Sequence, residues 1–159
     1  MKKIILMLFT CSIAIIDCKA QSKIGANYIH EIECLGSELD GSVTLKSWGK
    51  GKNRNDALEQ AKKEAINAVL FTGIRNGKQE CESRPLLNAP NIRENKADYF
   101  NNFFKDDGDY KKFTSNKDES FGKKEKEKGR DGDVMYGYVI RVMRSDLKKQ
   151  MITDGILNN

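Results

Sequence analysis

The sequence predicts an α+β domain: a small antiparallel or mixed sheet, one long alanine-striped helix packed on a face, and an irregular aromatic-rich insertion. Three observations predict it. Residues 41–48 (GSVTLKSW) alternate with the period of a half-buried strand, Val43, Leu45 and Ser47 facing one way and Thr44, Lys46 and Trp48 the other. Residues 57–71 (ALEQAKKEAINAVLF) place alanine at 57, 61, 65 and 68, which is one stripe of a helix. Residues 133–142 (DVMYGYVIRV) are dense in β-branched and aromatic residues and read as a strand. A helix with an apolar stripe and strands with an apolar face bury both by packing on each other.

The chain opens with a different kind of segment. Lys2 and Lys3 precede an apolar run over residues 4–16, broken only by Thr10 and Ser12, and Cys18-Lys19-Ala20 sets small residues at the −3 and −1 positions before Gln21. This is the pattern of a secretory signal peptide over residues 1–20, and the run is too short to span a bilayer comfortably. A lipoprotein signal wants a small residue directly before its cysteine, but Cys18 follows Asp17 and Cys11 lies inside the apolar run. Cleavage before Gln21 is therefore expected over lipoprotein anchoring. It would leave residues 21–159 as one exported domain, periplasmic or extracellular.

Subtracting that segment changes the composition. The full chain of 159 residues carries a formal charge of +5. Residues 1–20 take Lys2, Lys3, Lys19 and Asp17 with them, and residues 111–130 alone hold eight Lys or Arg against four acids. The remainder is close to neutral, so no general polyanion-binding surface is predicted and nucleic acid is not an expected partner. Within the basic stretch, Lys123, Lys124, Lys126, Lys128 and Arg130 form the candidate interaction surface, suited to weak contact with an anionic membrane. The interspersed acids make a solvated linker the plainer reading.

Of four cysteines, Cys11 and Cys18 leave with the signal. Cys34 and Cys81 remain, and in an oxidising compartment an even pair predicts a disulfide. Closing a loop of this length is worth about 3–4 kcal/mol by the chain-entropy argument. A pair of buried free thiols is the alternative. A zinc site built from His30, Cys34 and Cys81 lacks a fourth ligand and any C-x-x-C spacing.

The other elements follow in order. Residues 28–35 (YIHEIECL) read as a strand ending at Gly36, joined by the turn residues Glu38-Leu39-Asp40-Gly41 to strand 41–48 as a hairpin. Asn53-Arg54-Asn55 offer caps for the long helix, Asp56 suits its first turn, and Gly73 stops it. Residues 75–95, with Asn76-Gly77, Pro85 and Pro90, read as loop. Tyr99, Phe100, Phe103 and Phe104 share one helical face, which Asp107-Gly108 ends, and residues 111–131 read as a mobile charged loop. A final helix is expected to be capped by Ser145, with Leu147, Met151 and Ile152 inward and Gly155 weakening its end.

Motifs with chemistry are few. Trp48-Gly49-Lys50-Gly51-Lys52 precedes a helix N-terminus, where phosphate can bind, but it lacks the Walker pattern and carries Arg54 where a third glycine would fall. A tight glycine turn that lets the helix fold back on its strand is the simpler reading. Asp106-Asp107-Gly108-Asp109 would start an EF-hand only if an acid stood at Lys117. His30 is the only histidine, and no catalytic set can be assembled around it. The aromatic cluster of residues 99–113 reads as core, with a ligand groove or sugar-stacking surface as its alternative. No cofactor and no metal site is predicted.

Strand, Gly49-x-Gly51, then Ala57-x-x-x-Ala61-x-x-x-Ala65 and Phe71-x-Gly73, resembles small envelope domains such as those of the flagellar assembly T protein and related short surface lipoproteins. The Ala20-Gln21 junction looks like that of exported proteins of the Bacteroidetes. The resemblance covers residues 43–73 and implies a non-enzymatic envelope protein, with no catalytic residues to carry over. The expected function is a secreted or periplasmic, non-catalytic domain that binds another cell-envelope component, with an envelope protein as partner. A small exported hydrolase or ligand-binding enzyme is the alternative.

Overall fold

The structure is a computed structural model that describes residues 31–116, 125–128 and 134–158. The signal-like segment and His30 lie outside the described residues. The elements run β1 (Glu33–Ser37), β2 (Val43–Lys50), α1 (Arg54–Asn67), a π-helical turn (Ala68–Thr72), β3 (Asn76–Gly77), α2 (Ile92–Asn95), α3 (Ala97–Phe104), a 3-10 turn (Asp109–Phe113), β4 (Thr114–Ser115), β5 (Glu125–Lys128), β6 (Val134–Val142) and α4 (Arg144–Thr153). The strands form one mixed sheet in the order β3-β1-β2-β6-β4, with β5 also paired to β6. Among the described strands only β1 and β3 pair in parallel. This is the predicted α+β fold.

The hairpin forms as the turn residues imply. Gly41 takes φ +76°, its N–H donates to the Glu38 carbonyl at 2.9 Å, and the Glu38 N–H donates to the Ser42 carbonyl at 2.9 Å. In β2, Val43, Leu45 and Ser47 are buried in alternation with half-buried partners. β1 differs from its expected bounds. It starts at Glu33 and runs through Gly36, because a register shift between Cys34 and Gly36 sets Gly36 opposite Thr44. That bulge accommodates the glycine that reads as punctuation in the sequence.

The Asn53 side chain caps α1, accepting from the N–H groups of Asn55 at 2.9 Å and Asp56 at 3.0 Å. Ala57, Ala61 and Ala65 are fully buried, and the small stripe brings the helix backbone down onto β2. A Cβ added at Gly49 would lie 1.8 Å from the Ala57 carbonyl oxygen, and one at Gly51 would lie 2.4 Å from the Ala57 nitrogen. Gly49 and Lys50 are not a turn but the paired end of β2, opposite Tyr136 and Met135, and the two glycines serve the close approach of strand and helix. Ser47, also fully buried, donates its hydroxyl to the Ala61 carbonyl at 2.8 Å.

Beyond Asn67 the helix widens by one residue per turn. The Gly73 N–H donates to the Ala68 carbonyl at 2.8 Å, and Gly73 at φ +75° ends the turn. The carbonyls of Val69 and Leu70 accept from the N–H groups of Leu86 at 2.9 Å and Leu87 at 2.8 Å. Residues 75–95 are not all loop, since β3 and α2 lie within them.

The aromatic residues are core, as the plainer reading held. Phe100, Phe103, Tyr110 and Phe113 are buried; the Phe71 and Phe100 rings meet edge-on at 4.9 Å, and Phe103 stacks with Phe113 at 6.1 Å. Of the charged stretch expected as a mobile loop, residues 117–124 and 129–131 lie outside the described residues, and the described parts belong to elements. Lys111 and Lys112 sit in the 3-10 turn, and residues 114–115 and 125–128 pair with β6 as β4 and β5. Lysine and glutamate have low strand propensity, so the pairing comes from β6 and not from local preference. Ser145 does not cap α4. Met143 holds the cap position without a side-chain bond, while the Ser145 hydroxyl donates to the Gly41 carbonyl at 3.3 Å and ties α4 to the hairpin. Leu147 and Met151 are buried as expected, and Ile152 is half-buried.

Candidate binding cleft

A cleft of about 620 Å³ opens where the C-terminal half of α1 meets the ends of β2 and β6. Gln60, Glu64 and Asn67 line it at i, i+4 and i+7, the polar stripe beside the buried alanines. The π turn extends that wall with Ala68 and Thr72. Trp48 and Lys50 come from β2 and Met135 from β6, and Gly137, opposite Trp48, leaves room for the indole, whose ring atoms would stand 3.4 Å from a Cβ there. Glu31, Ile32, Arg75 and Asn76 close the remaining side. The lining combines one indole, several amides and charges of both signs. Gln60 donates to Glu64 at 2.8 Å, Asn76 donates to Glu31, and the outer oxygen of Asn67 accepts from Arg93 at 2.9 Å. The Lys46 ammonium stands 5.3 Å from the Trp48 ring centroid and pairs with Glu125 at 2.7 Å.

A second polar cluster joins α1 to the aromatic half. The buried Tyr110 donates its hydroxyl to Glu59 at 2.7 Å, Lys62 reaches the same carboxylate at 2.8 Å, and Lys111 at 3.3 Å. Burial opposes the charge on Glu59, but hydrogen bonds from Lys62 and Tyr110 outweigh it and pull its carboxyl down to about 2. Burial and the Glu59 partner push the Tyr110 phenol well above its ordinary range, so it stays a donor. In the acidic segment of residues 106–109, Asp106 crosses to α1 and pairs with Lys63 at 3.0 Å, while Asp107 pairs locally with Lys111 at 2.7 Å and Asp109 with Lys112 at 2.8 Å. This cluster docks two parts of the fold.

Cys34 and Cys81 are joined as a disulfide, with Cα atoms 6.3 Å apart. Of the candidate basic surface, Lys123, Lys124 and Arg130 lie outside the described residues, Lys128 falls in β5, and the Lys126 ammonium stands 5.9 Å from the Tyr136 ring centroid. Lys126 is exposed on β5. Among the described residues no cluster of His, Cys, Asp or Glu is placed to hold a metal ion, and no helix is long and apolar enough to cross a membrane.

Sequence reading missed the cleft. Its walls come from residues 31, 48, 60, 75 and 135, which no local pattern connects. The available signal was the only tryptophan of the chain, set on the polar phase of a strand. No protein-family model, curated protein or solved structure matches this chain.

Proposed function

We propose that this chain is an exported, non-catalytic binding domain that holds another component of the cell envelope, a protein partner, in the Trp48 cleft. The cleft carries the reading: about 620 Å³ lies within the range of pockets that enclose a small ligand or a short stretch of chain. Its lining mixes an aromatic anchor with amides and balanced charge, a composition suited to recognition. The disulfide supports a workplace outside the reducing cytoplasm.

Trp48 is the sole tryptophan, so occupancy of the cleft is readable as a change in its emission. The mature chain is titrated with solubilised envelope proteins, with peptidoglycan fragments and with anionic vesicles. A saturable shift is expected with the protein fraction. Paired substitutions Gln60→Arg and Thr72→Arg, both on the cleft wall, should abolish it. A flat response to every fraction overturns the reading, as does a shift the paired variant leaves intact. Turnover of an ester or glycoside substrate by the same preparation would move the assignment to an exported hydrolase.

A further inference from the structure

Residues 74–87 leave the π turn and return to it, and their two ends are held firmly. Ile74 is buried and its N–H donates to the Ser83 carbonyl at 3.0 Å. Leu86 and Leu87 donate to the π-turn carbonyls, and Leu87 is buried. Arg144 of α4 adds a further hold, donating to the Arg84 carbonyl at 2.9 Å and pairing with Glu82 at 3.1 Å.

The middle is different. Residues 75–80 are all exposed. Their backbone ties to the sheet are the short parallel pairing of Asn76 and Gly77 with Glu33 and Cys34, and one bond from the Lys78 N–H to the Cys34 carbonyl at 3.0 Å. The remaining ties are the exposed bond from the Asn76 side chain to Glu31 and one covalent link. Cys34 is 1% exposed within the core, while Cys81 is only half-buried. The disulfide is thus what anchors this segment to the interior, and Arg75 and Asn76 of the same segment form one side of the cleft.

We propose that the Cys34–Cys81 disulfide is a redox latch on residues 75–81, whose two-electron reduction frees this segment and the Arg75–Asn76 side of the cleft while the core stays folded. The reductant is a dithiol. One of its thiolates attacks the sulfur of Cys81, the less buried of the two cysteines, and expels Cys34, which takes up a proton. Its second thiol then attacks the mixed disulfide and expels Cys81. The dithiol leaves as its own disulfide, and both cysteines end as thiols. Reduced Cys34 stays buried as a small apolar side chain. The latch does not depend on what the cleft binds.

Native-state trypsin digestion of the full chain, with and without dithiothreitol and read by mass spectrometry, tests it. Cleavage after Arg75 and Lys78 should accelerate about tenfold or more on reduction, as local opening requires, while cleavage after Lys62 and Lys63 inside α1 stays slow. Cys81→Ser should give the same pattern without reductant. Unchanged cleavage at Arg75 and Lys78 overturns the latch. So does simultaneous cutting within α1, or failure of Cys81→Ser to fold, because the disulfide would then hold the whole domain.

Discussion

The two halves of the core are packed on opposite principles. Where α1 meets the end of β2, the contact is made by absent side chains: Ala57 and Ala61 face Gly49, Gly51 and Ser47, and backbone nearly touches backbone. Where α3 and the 3-10 turn close the other half, Phe100, Phe103, Tyr110 and Phe113 fill the space with rings. The first interface has little to lose and no room to gain. The second has much to lose. The same domain should therefore resist enlargement on one side and truncation on the other.

The sharpest way to break that contrast is Gly49→Ala. Its new Cβ meets the backbone of Ala57 and Ala61, which cannot rotate away, so a loss of about 4 kcal/mol or more is expected in urea denaturation. Gly137→Ala is the control, since its nearest neighbours stand at an ordinary 3.4 Å; a cost under about 1 kcal/mol is expected. A similar small cost at both glycines would dissolve the distinction.

Next in size is Phe103→Ala, expected to lose about 3–4 kcal/mol through the cavity it leaves, against about 1 kcal/mol for Ala61→Gly in the alanine stripe. Equal effects of the two truncations would show that the ring-filled half collapses around its vacancies.

The smallest effect probes the joint between the halves. Glu59 is pulled down to about 2 in the folded chain, below its ordinary value of 4.5. Its contribution is complete above about pH 4.5 and is lost as pH falls toward 2. Part of that contribution is screened by solvent, because the side chain is 32% exposed, so about 1 kcal/mol is expected. Glu59→Gln should lower the urea midpoint at pH 6 and narrow its difference from the parent at pH 3. An equal deficit at both pH values would assign the effect to packing alone.

What the sequence disclosed follows the same division. β2, α1 and β6 were legible because their burial repeats with the period of their own backbone, as the alternation of residues 43–47 and the alanine spacing show. The aromatic residues were legible as core for their size. β3, β5 and the cleft were not, because each is decided by a distant partner: Asn76 by Glu33, Lys126 by Tyr136, Trp48 by Gln60 and Arg75. Ser145 looked like a cap because its residue type suits one, yet the Gly41 carbonyl lay within reach of its hydroxyl.

The π turn at Ala68–Thr72 carries a consequence for how this chain can change. A π turn is one residue more than an α-helix would use over the same path. Deleting a single residue there would restore regular pitch over the same path, with i→i−4 bonds where the turn now closes an i→i−5 bond. The Gly73 N–H would give up the Ala68 carbonyl, and the carbonyls of Val69 and Leu70, which receive Leu86 and Leu87, would be drawn back into the helix. A substitution at Thr72, the exposed residue of this stretch, would cost the fold little. A change in the number of residues would not, so length is under tighter constraint here than spelling.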